Sequence, residues 1–203
     1  MQSAHVKSGF AAPRRLRSIA TLLVGAWLVA CLVASRPASA AGDRIDVLQV
    51  SVDARDDGYF VNAEFDFDLK PRMAEALERG LALFFVLELE LTRSRWYWFD
   101  EQTARPTLSY RLSYHALTRQ YRVSTGTLQL GFPALSDALG VMTHVREWKV
   151  ADRNVLKAGE TYLAAIRMRL DTSQLPKPFQ INALTSREWT LESEWKRFAL
   201  EAR

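Results

Sequence analysis

The chain of 203 residues carries 27 Lys and Arg against 23 Asp and Glu, for a formal charge of +4, and has one cysteine. Five of the bases (Lys7, Arg14, Arg15, Arg17, Arg36) lie in the first 40 residues, which hold no acid, so residues 41–203 balance 22 bases against 23 acids, or −1. The basic excess is therefore local to the N-terminus and gives no warrant for a nucleic-acid partner. With Cys31 as the sole cysteine, residues 41–203 have no disulfide, thiol chemistry or Cys-based metal site, and a segment of this length can be held by its apolar core instead.

Residues 1–40 have the order of a signal peptide. Arginines come first, an apolar run follows from Ile19 to Ala34, and Ala38-Ser39-Ala40 supplies the small-x-small cleavage site. The run is shorter than the ~20 residues of a membrane span. Cleavage between Ala40 and Ala41 is expected, with delivery of residues 41–203 to the periplasm of a Gram-negative cell. Two other fates fit the same residues. Leu28-Val29-Ala30-Cys31 has the form of a lipoprotein box that would lipidate Cys31, although apolar Leu32-Val33-Ala34 follows where a polar tether is usual. Retention as a tilted, uncleaved anchor is the other, in which the leader itself would make the membrane a partner.

The first two predicted elements form a hairpin. Leu48, Val50 and Val52 alternate on one strand, Asp56-Asp57-Gly58 turns the chain, and Tyr59, Val61, Ala63, Phe65, Phe67 and Leu69 alternate on the next. Pro71 and Gly80 bracket a short helix over 72–79. Leu81 to Leu91 is the most apolar stretch after the leader, and its Glu88/Glu90 alternation predicts a long central strand. Trp96-Tyr97-Trp98-Phe99 reads as an aromatic strand. Leu108, Tyr110, Leu112 and Tyr114 alternate strictly with polar residues, and 120–125 and 127–130 continue as a meander.

Pro133 opens a second helix, with Leu135, Leu139, Met142 and Val145 recurring at helical spacing toward Trp148. Lys157-Ala158-Gly159 turns into a strand over 162–170. The loop Leu175-Pro176-Lys177-Pro178 then leads to a last strand on which Trp189, Leu191 and Trp195 share a face. About eight strands with two or three short helices predict a mainly β fold, an antiparallel β-sandwich with immunoglobulin-like layering. No linker divides 41–203, so the organisation is a leader over 1–40 and one sandwich domain over 41–203.

Three segments carry a resemblance. Arg95-Trp96-Tyr97-Trp98-Phe99-Asp100-Glu101, the run from Tyr110 to Val123, and Ser173-Gln174-Leu175-Pro176-Lys177-Pro178-Phe179 with the closing Trp189-x-Leu191-x-Ser193-x-Trp195 resemble the exported proteobacterial family called domain of unknown function 4390. The resemblance implies a small exported protein without an assigned activity, so no catalytic residue is carried over. It also implies, by gene proximity alone, a nitrogen-type membrane sensor kinase as a candidate partner.

The chemistry-bearing patterns are sparse. Asp53, Asp57, Gly58 and Glu64 match positions of a calcium loop, but Arg55 stands at position three and strands flank the segment, which favours a hairpin turn. His115 and His144 lack metal-ligand spacing, with His115 expected to be the more exposed. Ser109 or Ser113 with His115 and Asp100 makes a triad only on paper, since scattered serines allow one in any chain. Asp66/Asp68, Glu88/Glu90 and Asp100/Glu101 are paired carboxylates, and residues two apart on a strand share a face at a spacing glycosidases use, yet such pairs read as solvated strand faces. No catalytic, metal-binding or cofactor-binding residue is assigned.

One surface stands out. Arg95, Trp96, Trp98, Arg111, Arg119 and Arg122 combine stacking faces with guanidiniums, the composition of a platform for sugars, anionic lipid or a partner loop. These residues point to a non-enzymatic module that binds an envelope protein or envelope component. The alternatives are a periplasmic accessory of a membrane sensor kinase and an envelope hydrolase using its acidic residues.

Overall fold

The computed structural model describes residues 44–93 and 101–202. Among the described residues ten strands and three α-helices follow one another in the order β1 (Asp46–Arg55), β2 (Gly58–Asp66), α1 (Pro71–Glu78), β3 (Leu83–Arg93), β4 (Glu101–Ala104), β5 (Thr107–His115), β6 (Gln120–Thr125), β7 (Leu128–Phe132), α2 (Leu135–Thr143), β8 (His144–Ala151), β9 (Thr161–Leu170), α3 (Lys177–Thr185) and β10 (Lys196–Glu201). Every strand pairing is antiparallel. A small sheet has the order β1-β2-β8, and a large one the order β10-β9-β3-β5-β6-β7, with β4 beside the end of β3. Both sheets contribute to one apolar core, as the sandwich reading expected.

Alternation builds that core. Tyr59, Val61, Ala63 and Phe65 on β2 and Leu83, Phe85, Leu87, Leu89 and Leu91 on β3 are buried, while the residues between them are less so. β3 lies between β9 and β5, which accounts for its near-continuous apolar sequence. Phe67 and Phe85, whose ring centroids are 5.4 Å apart, join the end of the small-sheet hairpin to the large sheet. α1 starts on Pro71 and buries Met73 and Leu77, one turn apart. It stops where Gly80 takes φ +94° and the N–H groups of Gly80 and Leu81 bond back to Leu77 and Ala76.

Four expectations are corrected. Leu48 does not share the core face of Val50 and Val52; it is 53% exposed because a β-bulge between Val47 and Gln49 shifts the register against β2. The Lys196 ammonium donates to the carbonyls of Val47 and Leu48 at that bulge, at 3.0 and 2.8 Å. The second helix ends at Thr143, and Val145 and Trp148 belong to β8, where they pair with Ala63 and Val61. Position 145 fits both periods, and the vacant edge of β2 selected the strand.

Third, the segment after Pro176 forms α3 and a single 3-10 turn, Arg187–Trp189, before the last strand starts at Lys196. Trp189 and Leu191 are buried, but from a turn and an isolated bridge region. Fourth, His144 is the exposed histidine; His115 is half-buried, its Nδ1 accepting from the Thr118 N–H at 3.3 Å. The predicted aromatic strand with Arg95, Trp96 and Trp98, the carboxyl of Asp100 and the Ala40/Ala41 cleavage site lie outside the described residues. Among those described, no helix is long and apolar enough to cross a membrane.

Candidate functional site

The outward face of the large sheet is where charge collects. On β3 it presents Phe84, Val86, Glu88 and Glu90, and on β9 Arg167 and Arg169, the complement of the buried alternation. Glu88 stands opposite Arg167 in the ladder. Arg167 Nε donates to one Glu88 oxygen at 2.6 Å, and Arg169 Nε and Nη2 donate to the other at 3.1 and 2.9 Å. Arg169 continues to Asp171 at 3.6 Å, and the Arg167 guanidinium lies 4.5 Å from the centre of the Trp195 ring. Glu90 is bound by Arg105.

This network corrects the reading of Glu88/Glu90 as a solvated pair. Burial alone pushes the Glu88 carboxyl up, but the hydrogen bonds from Arg169 and Arg167 and their charges outweigh it and leave the group below its ordinary value. Asp171 is lowered in the same way, burial being overcome by hydrogen bonds from Gln174 and Ser173. The two carboxylates are thus held by different guanidiniums, Glu88 by Arg167 and Arg169 and Glu90 by Arg105. Arg167 and Arg169 are absent from the residues expected of a site, and Trp195, expected on a strand face with Trp189 and Leu191, instead stacks on Arg167. The signal that could have found the two arginines is the match between Glu88-x-Glu90 and Arg167-x-Arg169, opposite charges at strand spacing on the two most apolar strands.

The neighbouring part of the same face is different. β5 points Ser109, Arg111, Ser113 and His115 outward, β6 points Gln120, Arg122 and Ser124, and β7 points Gln129 and Gly131. None of these is acidic. Arg111 stands opposite Ser124 and Arg122 opposite Ser113, so the two arginines are diagonal neighbours, with Cβ atoms about 7 Å apart. Arg111 also lies 6.0 Å from the centre of the Phe84 ring. Among the described residues neither arginine has an ion-pair partner. Arg119 sits apart, in the β5–β6 turn with φ +52°, where its side chain is exposed. The structure thus unites Arg111 with Arg122, places Arg119 at one end of that face, and leaves Arg95, Trp96 and Trp98 outside the described residues.

The remaining candidates are pulled elsewhere. Asp53 accepts from Asn62 at 2.8 Å across the β1–β2 ladder and Glu64 lies 3.4 Å from His144 across the β2–β8 ladder, so two carboxylates of the calcium-loop pattern are engaged by partners on neighbouring strands. The Nδ1 atoms of His144 and His115 face partners close in the chain, Gly140 and Thr118. A cleft of about 380 Å³ runs between α1 and α3, lined by Arg72, Glu75, Arg79, Phe179, Asn182 and Trp189. Its charges are engaged: Arg79 with Glu75 at 2.7 Å, and Arg72 with Glu188 beside the cleft at 3.5 Å. Tyr110, beneath the arginine face, has its phenol pushed up to about 12 by burial and stays neutral.

A family model described as a domain of unknown function (DUF4390) matches residues 42–199. The chain belongs to that family, as the resemblance implied. No curated protein and no solved structure matches it.

Proposed function

We propose that this member of the domain-of-unknown-function family is a non-enzymatic binding module of the cell envelope, and that the outward face of β5 and β6 holds an anionic group of its ligand. One observation carries the reading. Arg111 and Arg122 stand as diagonal neighbours on a strand face without a carboxylate, whereas Arg167 and Arg169 on the same sheet are engaged by Glu88. Two guanidiniums at that spacing can grip a phosphate or carboxylate from both sides, with Ser113, Ser124 and Gln129 adding neutral hydrogen bonds around it. The leader-like residues 1–40 support the envelope as the compartment.

The test uses the full chain in detergent and two probes, a phosphorylated glycan and a uronic-acid glycan, at about 50 and about 300 mM salt. Binding that weakens with salt, and that falls at least about tenfold in the Arg111→Ala/Arg122→Ala variant, is expected for either probe. Equal binding by the variant and the parent chain, or no binding of either probe, refutes the site. The probe that binds identifies the anion.

A further inference from the structure

The strands at the borders of the two sheets are not protected alike. A sheet edge presents unpaired N–H and C=O groups, and proteins block such edges with charges, bulges or proline. β10 carries Lys196, Arg197 and Glu201. β1 carries Asp46, Asp53 and Arg55 and the bulge at Leu48. β8 carries Arg146, Glu147 and Lys149, and Glu147 takes φ +52° at a second bulge. β4 carries Glu101. β7, Leu-Gln-Leu-Gly-Phe, has no charge, no proline and no register shift against β6. Its Leu128 and Leu130 are 54% and 36% exposed.

The pairing register shows what this open edge can accept. Thr125 and Leu128 close a two-residue turn, Gly126-Thr127, with Gly126 at φ +54°. The closing pair of such a turn is hydrogen-bonded, and antiparallel ladders alternate. Leu128, Leu130 and Phe132 therefore turn their backbone groups to β6, and Gln129 and Gly131 turn theirs to the open edge. A strand that pairs there must offer the same pattern in the opposite direction.

We infer that the strand that covers this edge is β7 of a second copy of this chain, paired antiparallel about a two-fold axis through Leu130. In that register Gln129 of each copy meets Gly131 of the other, and all four outward-facing residues bond. Leu130 meets itself as a non-hydrogen-bonded pair, the closer of the two pair types, and Leu128 meets Phe132. The apolar residues extend the core-facing side of the sheet, and no charge on either strand opposes the approach. Gly131 leaves the outward side open, since a Cβ there would meet nothing nearer than Gln120 Oε1 at 3.5 Å. Five residues per copy make a small interface, so the dimer is weak, with Kd above about 1 μM.

The pairing does not depend on the anion-binding reading, but it would extend that surface. The outward row Arg111, Ser124, Gln129 continues into Gly131 and Arg122 of the partner subunit. Four strand spacings put the two arginines about 19 Å apart on one sheet.

The experiment is a disulfide trap in the full chain, with Cys31→Ser to remove the only native thiol. Leu130→Cys sits on the two-fold, where Cα atoms of a non-hydrogen-bonded pair come within about 4.5 Å, inside the range a disulfide spans. Under mild oxidation in cells it is expected to give a disulfide-linked dimer of the chain. Leu128→Cys, two residues off the axis, is expected to give at least about tenfold less. Gln129→Pro, which removes an outward N–H at a position where an edge strand tolerates proline, should abolish the Leu130→Cys dimer. Sedimentation of the detergent-solubilised full chain provides the second measurement: concentration-dependent dimer for the parent, monomer for Gln129→Pro. Equal trapping at positions 128 and 130, a linked partner other than this chain, or a monomeric parent at about 100 μM overturns the inference.

Discussion

Glu88→Gln tests the ionic network on the outward face of β3 and β9. The Glu88 side chain is 15% exposed, and Arg167 and Arg169 are 28% and 30% exposed. A hydrogen bond to a charged group contributes about 1.5–3 kcal/mol, and glutamine keeps the shape and one acceptor. The partial exposure of both guanidiniums discounts the loss, so the expected cost is about 1–3 kcal/mol at neutral pH. For a domain of this size that is a fall in Tm of about 3–10 °C. The pH dependence gives a sharper result. The folded-state pKa of Glu88 is below its ordinary value, so its contribution is complete above the ordinary carboxylate range and is lost as pH falls through the folded pKa. The gap between parent and variant should be full at pH 7 and close as the pH drops below that range. Urea unfolding followed by tryptophan fluorescence measures it, since Trp195 stacks on Arg167. A gap of the same size at pH 7 and at about pH 3 would refute the assignment of the stabilisation to the Glu88 charge.

Three further outcomes are expected. Gly58→Ala should cost at least about 2 kcal/mol in the same unfolding assay, because a Cβ there would lie 2.4 Å from the Ala151 carbonyl oxygen with φ at +154°. Asn62→Ala should cost about 1 kcal/mol: the Asn62 amide oxygen accepts from the Glu147 N–H at 2.9 Å, satisfying the bulge of β8, and amide exchange at Glu147 should speed up. Leu48→Ser should change stability by less than about 0.5 kcal/mol, while Val61→Ala in the adjacent strand should cost about 2 kcal/mol; equal penalties would contradict the bulge.

Much of the architecture could be read from local pattern. Strict alternation from Leu108 to His115, the apolar run before Leu91, and the Pro71 and Gly80 bracket each depend on residues close in the chain, and β5, β3 and α1 follow them. The failures share a cause. Leu48 is turned outward by a bulge that the register against β2 requires, and Val145 belongs to β8 because β2 had an edge to fill. Neither fact is present within a window of ten residues. α3 was hidden by Pro176 and Pro178, which read as a loop although a proline is tolerated in the first turn of a helix.

The candidate surface divides the same way. Composition and alternation alone establish that the chain has one cysteine, that its basic excess is confined to residues 1–40, and that Arg111 and Arg122 fall on the polar side of alternating strands. They could not determine which carboxylates those arginines would meet, because charge pairing across a sheet depends on strand order. The tertiary structure decided that β3 pairs with β9, which gives Glu88 to Arg167 and Arg169, and that β5 pairs with β6, which leaves Arg111 and Arg122 beside serines. Partners 79 and 81 residues apart are set by topology, and strand order is a property of the packed core as a whole.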